Sequence, residues 1–563
     1  MQRPLAGLTW HDAATETLAG VTLLAIAVPL NIGYAQIAGL PPTAGLYALV
    51  VPAVVYALIV TSRQLVASPD AAAAALVASS IGGLAVAGSA DYLSMALAQA
   101  ILCGVMFALA AVFRLGFLAN FLSKPILVGF VGGLALDILV SQVAKMLGVT
   151  IDSGGEFVDK VVGLVAGLPT IHGWSVLIAA LAVLVLVVGR RLARAVPWAL
   201  VVLVATTVVV VTTGLEQQGV AVLGPVEAGP PSLTWPVLPW ETWLALVPSA
   251  LALTMITVAE GLLVGRSYGE KRGYPTSPDR DLLAFGAANV AAGVTGGFAV
   301  GSSTSRTAAM DQAGSRTQLP TLVAAVGTLL LLVFGTALLE HIPSPAIGAI
   351  VGVAVLPLLG VSELRVLWTQ DRSELGIGAL CFLATLLVGA IPGIVIAFVL
   401  ALVNMARRAS SPGIDVLAAD GEPGSSLLDP APVGTPTAPG VLVIRMAAPL
   451  FFANGTVLTD AVKHAVETTP GVSHVVLDLE AVTDIDVTGA EALDSLRSWL
   501  DSRPVSLAYS RPRREIVARM RALDLVSDET IYPTNRAALS ALTRTASASA
   551  EKADPGPVSW QDP

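Results

Sequence analysis

The stretch GGFAVGSSTSRT, residues 296–307, decides how the chain is read. It lies inside a strongly apolar region, yet it is polar, glycine-rich and carries Arg306. A lipid-facing helix has no use for it. Broken backbone and a charge at membrane depth are tolerated where they are buried in protein or line a water-filled cavity. The stretch therefore predicts half of an anion site. The rest of the chain builds the other half, holds both in the bilayer or regulates the result.

The chain has 563 residues, 55% of them hydrophobic and only 13% charged, with a mean hydropathy of +0.78. These values indicate a multispanning membrane protein. The 52 glycines suit close helix approach in lipid. The net charge of -9 reflects acids crowded toward the C-terminal part, and no basic arm or patch points to nucleic acid. Cys103 and Cys381 sit far apart in apolar runs and read as buried thiols; the five histidines lack metal-ligand spacing, so neither metal nor cofactor is expected. No nucleophile–base set appears, which argues against an enzyme. Residues 1–16 read as a cytoplasmic amphipathic lead-in. The following apolar stretch lacks a short h-region with a small-residue cleavage site, so it reads as a retained first span.

Roughly fourteen apolar segments follow between residues 17 and 408, several of them too short or too broken for a span of about 20 residues. With the N-terminus inside, the inner loops collect basic residues from Arg63 to Arg408, and the outer loops collect little beyond Lys145 and Lys160. That asymmetry satisfies the positive-inside rule and, with an even span count, places both ends in the cytoplasm. The halves echo each other. Residues 64–68 are strand-like and Pro69-Asp70-Ala71 opens a helix; residues 298–301 are strand-like and residues 302–305 open another. Interrupted segments at corresponding positions are the pointer to a transporter site. Seven spans per half makes the repeats inverted. Residues 409–440, rich in Pro, Gly and Ser, form a linker or loop-rich lead-in to an α/β domain over 441–545, and 546–563 reads as a disordered tail.

Two helix N-termini facing each other form an anion site without a fixed cation. Ser302, Ser303, Thr304 and Ser305 add hydroxyl donors, or else cap the helix or join neighbours. Arg306 costs about 2.5–3.5 kcal/mol in the membrane if uncompensated; it draws anions, or pairs with Asp70 or Glu260 to fix packing. Asp70 caps its helix, or carries a coupling proton. Glu260, inside an apolar span, is a second coupling candidate. Asn31, Tyr34 and Gln36 line a cavity or join helices, and Asn289 reads as helix glue.

The motifs together resemble the SulP family of anion permeases. PLNIGYAQIAGLPP (29–42) with Gly45-Leu46-Tyr47 is similar to the family's first-span signature. LGFL (115–118) and SKPILVGF (123–130) resemble the start of its fifth span, and residues 296–307 with GSRTQ (314–318) its tenth-span motif. Residues 439–454 resemble the opening of its STAS domain. The resemblance implies an all-α transport domain of seven plus seven inverted spans, divided into core and gate, with elevator-like movement. It implies a substrate among sulfate, bicarbonate, chloride or small dicarboxylates, with site residues Ser68, Pro69, Asp70, Ala71, Ser303, Thr304, Ser305 and Arg306, and the eighth-span acid at Glu260. Sodium-coupled members carry a hydroxyl one turn after that acid; Val264 stands there, which favours protons over sodium. The family's usual Gln after the first-span proline is Asn31. In DIDVTG (484–489) Val487 replaces the serine of phosphorylatable antagonists, so that switch is expected to be absent, and Thr488 reads first as a helix cap. The expectation is proton-coupled sulfate uptake by a homodimer in the inner or plasma membrane, with a possible cytoplasmic partner at the STAS domain. The alternatives are a bicarbonate or dicarboxylate carrier, an anion exchanger, or a membrane-tethered STAS sensor.

Overall fold

The computed structural model describes residues 10–116, 124–152, 155–193, 196–419, 427, 429–526 and 531–543. The first nine residues of the lead-in, residues 117, 118 and 123 of the expected fifth-span start, and the tail lie outside them. The chain divides into two compact units, Met1–Ala401 and Leu402–Pro563.

The first unit is a series of helices. They are α1 (Trp10–Ile37), α2 (Pro42–Tyr47), α3 (Val51–Ile59), α4 (Ala71–Ile81), α5 (Ala90–Val112), α6 (Lys124–Leu147), α7 (Phe157–Gly167), α8 (Gly173–Leu192) and α9 (Trp198–Thr213). The second half continues with α10 (Trp240–Arg272), α11 (Pro278–Val294), α12 (Thr304–Gln312), α13 (Leu319–Phe334), α14 (Ala337–Glu340), α15 (Ser344–Val355), α16 (Val361–Gln370), α17 (Arg372–Leu387) and α18 (Ala390–Ser410). Among the described residues, 7 helical stretches are long and apolar enough to cross a membrane by length and composition, two of them joining α2 with α3 and α15 with α16. Two helices differ from the sequence reading. α7 and α16 fall between the expected spans because they are short and amphipathic, and an apolar-run criterion passes over them.

α4 and α12 are the interrupted segments. With 11 and 9 residues at 1.5 Å per residue, each reaches about half of a 30 Å hydrocarbon core. Each follows a two-residue strand, β1 (Ala67–Ser68) or β2 (Gly301–Ser302). The strands pair antiparallel, Ala67 with Ser302 and Ser68 with Gly301, so the chain enters the two half-helices from opposite directions.

Around this pair the packing is tight. α5 and α11 approach so closely that a Cβ on Gly104 would meet the Gly286 carbonyl oxygen at 2.8 Å. Phe285 of α11 stacks between Tyr56 and Phe107, with ring centroids 4.9 and 5.7 Å away. Below the half-helices, Gln318 donates from Nε2 to the carbonyls of Ser62 and Leu65, both at 2.9 Å. Asp281 accepts from the Thr61 amide at 2.7 Å and its hydroxyl at 2.6 Å.

The second unit is an α/β domain. A five-stranded sheet runs in the order β3 (Ile414–Val416), β4 (Val441–Met446), β5 (His474–Asp478), β6 (Ser506–Ser510), β7 (Ile531–Tyr532). β4 to β7 are parallel, and β3 is antiparallel at the edge. β3 lies within the Pro- and Gly-rich stretch expected to be a linker or loop-rich lead-in; three residues are too few to mark a strand in such a composition. Helices α19 (Gly455–Thr468), α20 (Val487–Asp501), α21 (Arg514–Ala522) and α22 (535–543) complete it. Asp486 caps α20 by accepting from the Gly489 amide at 2.6 Å, so the cap falls on the aspartate and Thr488 lies inside the helix.

Candidate anion site between two half-helices

The β1–β2 pairing brings the starts of α4 and α12 into one place. Asp70 is the N-cap of α4, with Oδ1 accepting from the Ala73 amide at 2.7 Å. Ser303 is the N-cap of α12, with Oγ accepting from the Arg306 amide at 3.4 Å and from its Nε at 2.8 Å. Further bonds fasten the two starts together. The Ser303 amide donates to the Val66 carbonyl at 3.0 Å, and the Val66 amide donates to Thr307 Oγ1 at 3.1 Å. Asn289 holds the Val300 peptide from both sides, at 3.0 Å to its N–H and 2.9 Å to its carbonyl. That is a side-chain imitation of a strand pairing, and it fits the reading of Asn289 as structural.

Arg306 lies at the centre and is 1% exposed. Its Nη1 donates to Asn31 Oδ1 at 2.6 Å and its Nη2 to the Pro69 carbonyl. The guanidinium stands 5.8 Å from the Tyr34 ring centroid, within cation–π range. The ion pair to Asp70 or Glu260 that the sequence left open is not formed. Every acceptor that the guanidinium reaches among the described residues is neutral. Fixed hydroxyl, amide and carbonyl dipoles satisfy its donors without cancelling its charge. Asn31 and Tyr34, expected to line a cavity or join helices, are both buried around this cation. Asn31 also donates to the Gly45 carbonyl at 3.2 Å, which joins α1 to α2.

The remaining predicted residues fall around the same point. Ala71 and Pro69 are buried, Asp70 is partly exposed, and Thr304 and Ser305 are exposed. Ser68 Oγ and Ser302 Oγ are buried with no hydrogen-bond partner. The second carboxylate oxygen of Asp70 lies where Gly301 has no side chain: a Cβ there would come within 2.3 Å of it and 3.3 Å of Thr257 Oγ1. Thr257 and Glu260 share one face of α10, one turn apart. Glu260 is partly exposed and close enough to Asp70 for their charges to interact. A cavity of about 370 Å³ reaches from Ser305 on α12, past Leu30 of α1, to Arg190 of α8.

Comparison with known proteins places this geometry. Residues 14–381 match the model of the sulfate permease family, and residues 433–538 match the STAS domain. A probable sulfate transporter of Mycobacterium tuberculosis is 35% identical over 94% of this chain and 95% of its own. The low affinity sulfate transporter 3 of Stylosanthes hamata is 29% identical over 91% and 84%. In three dimensions the murine anion transporter Solute Carrier 26 family member A9, in its inward-facing state, superposes with a TM-score of 0.84 at 19% identity, covering 94% of this chain and 91% of that one. The transmembrane domain of the cyanobacterial bicarbonate transporter BicA gives 0.61 at 22%, covering 69% and 98%. The chain belongs to the sulfate permease family: it is a multi-pass membrane transporter, not an enzyme, whose helical transport domain is followed by an α/β STAS domain.

Proposed function

We propose that this protein takes up sulfate, bound between the starts of α4 and α12 and driven by protons. The observation that carries this reading is Arg306, buried at the meeting point of two helix N-termini with only neutral acceptors on its guanidinium. A positive charge held this way, flanked by two helix ends each equivalent to about half a positive charge, attracts an anion. The unpartnered hydroxyls of Ser68 and Ser302, with the exposed ones of Thr304 and Ser305, supply neutral donors for its oxygens. The sulfate transporters among its relatives favour sulfate over the other small anions. Asp70 and Glu260 are the groups available to carry a proton, since an ionised carboxylate beside a bound dianion is unfavourable.

The β1–β2 pairing supports movement of the two half-helices as one body, the elevator-like motion expected of the fold. In this reading the protein is a homodimer in the cell membrane with both termini in the cytoplasm, and the STAS domain meets a cytoplasmic partner. Uptake of labelled sulfate, bicarbonate and fumarate into proteoliposomes, with imposed proton or sodium gradients, tests it. Sulfate should accumulate under an inward proton gradient alone. A sodium requirement would overturn the coupling, and fumarate or bicarbonate moving in place of sulfate would overturn the substrate.

A further inference from the structure

Away from the central site, polar side chains collect where α1 and α6 end. Lys145 of α6 donates from Nζ to Gln36 Oε1 of α1 at 3.1 Å, and no carboxylate among the described residues pairs with it. One turn back on the same face of α6, Gln142 is 0% exposed, and neither its Nε2 nor its Oε1 has a hydrogen-bond partner. Lys145 and Gln142 border a cavity of about 10 Å³, which also touches Ala75 and Ala78 of α4. That is room for about one water molecule. Beside it lies a larger cavity of about 160 Å³. Asp137 of α6 and Lys160 of α7, ion-paired at 2.8 Å, border both spaces.

A partly buried lysine satisfied by a single neutral oxygen, next to a fully buried amide with both ends unsatisfied, is costly as packing. It is well formed as a receptor, because an ammonium and an amide N–H₂ are donors suited to an oxyanion. We propose that Lys145 and Gln142 form a second binding site for the transported oxyanion. It lies on the way to the central site from the face where α1 and α6 end, and the Asp137–Lys160 pair walls it off. The inference rests on the anion-transport reading above. In the arrangement described here the site is shut, since 10 Å³ cannot hold an oxyanion. Withdrawal of α1 and α4 from α6 opens it, and the anion then takes the place of Gln36 Oε1 on Lys145. Ala75 and Ala78 present only methyl groups to that boundary, so little obstructs the separation.

The full-length protein in proteoliposomes tests this through sidedness. Lys145→Gln and Gln142→Leu should each raise the KM for sulfate about tenfold when it is presented at the face where α6 ends. The KM from the opposite face should stay unchanged, and Lys145→Arg should restore the wild-type value. A second readout is independent of turnover. Ser141→Cys, beside the same cavity, should react with a membrane-impermeant maleimide from that face, and saturating sulfate should slow the reaction only while Lys145 is present. Equal KM changes from both faces, or labelling indifferent to sulfate, would overturn the site. Failure of the unsubstituted protein to move any anion would instead sink the transport reading itself.

Discussion

Arg306 and Arg445 face the same physical problem and meet it differently. Arg445 of β4 donates to Asp478 Oδ2 at 2.9 Å from Nε and 2.8 Å from Nη2. The buried Asp478 also accepts from Asn535 at 3.0 Å and has Arg511 at 3.7 Å. Arg511 is also ion-paired to Glu480, so the two cations face two carboxylates and the cluster is electrically closed. Arg306 is more deeply buried, yet Ser303, Asn31 and the Pro69 carbonyl give it dipoles only. Paired charges stabilise a fold in one arrangement, whereas a charge with neutral partners remains available to an ion that comes and goes.

The comparison can be broken at either end. Asp478→Ala leaves Arg445 without its carboxylate, while Arg511 keeps Glu480, and should cost the STAS domain about 3 kcal/mol, read as an early denaturant transition of the full chain. Arg306→Gln should behave in the opposite way. Its partners are neutral and its charge serves the substrate, so sulfate affinity should fall about a hundredfold while the melting temperature holds near wild type. A collapse in stability with unchanged affinity would place Arg306 with Arg445, as a structural charge.

Gly301→Ala asks how closely the acid opposite Arg306 is held. The added methyl displaces the Asp70 carboxylate and weakens the α4 cap by about 1 kcal/mol. The pH dependence of uptake should change more than thermal stability does; an unchanged pH profile would remove Asp70 from proton coupling. The smallest effect belongs to the closed unit. Partial burial holds His474 below the ordinary histidine pKa, with its Nδ1 at 2.6 Å from Ser506 Oγ. The fold therefore favours the neutral ring. Stability is full above the unfolded value of about 6.5 and declines as pH falls through it toward the folded value. His474→Gln should flatten that slight acid sensitivity in the STAS melting transition.

Much of this was legible in the sequence, for reasons that also mark its limits. Glycines, serines and an arginine in an apolar run announced α12, though not which of its hydroxyl residues caps it, and Pro69-Asp70 announced α4. Both signals are local. The grip of Asn31 on Arg306 is not local, and the first-span polar residues allowed a cavity or a helix contact equally well. The clamp of Asn289 on Val300 was foreseen only as structural glue, because its target depends on where residues 296–300 turn. Lys145 registered as an outer-loop charge marking orientation. Its bond to Gln36 emerges only when α1 is packed against α6. α7 escaped notice because Asp159 and Lys160 leave an apolar run of only residues 161–168, far short of a span.

The two-residue pairing of β1 with β2 has a consequence for how the protein is made. Arg306 and the Pro69 carbonyl that it reaches are 237 residues apart, so a ribosome synthesises most of the transport domain between them. Until β2 emerges, β1 has no partner strand, and the Pro69 carbonyl and Asn31 lack the guanidinium that will meet them. The first half must therefore be sheltered, by the insertion machinery or by lipid headgroups and water, for the whole of that interval. Truncations that end before residue 301 should be the species most readily cleared by membrane quality control.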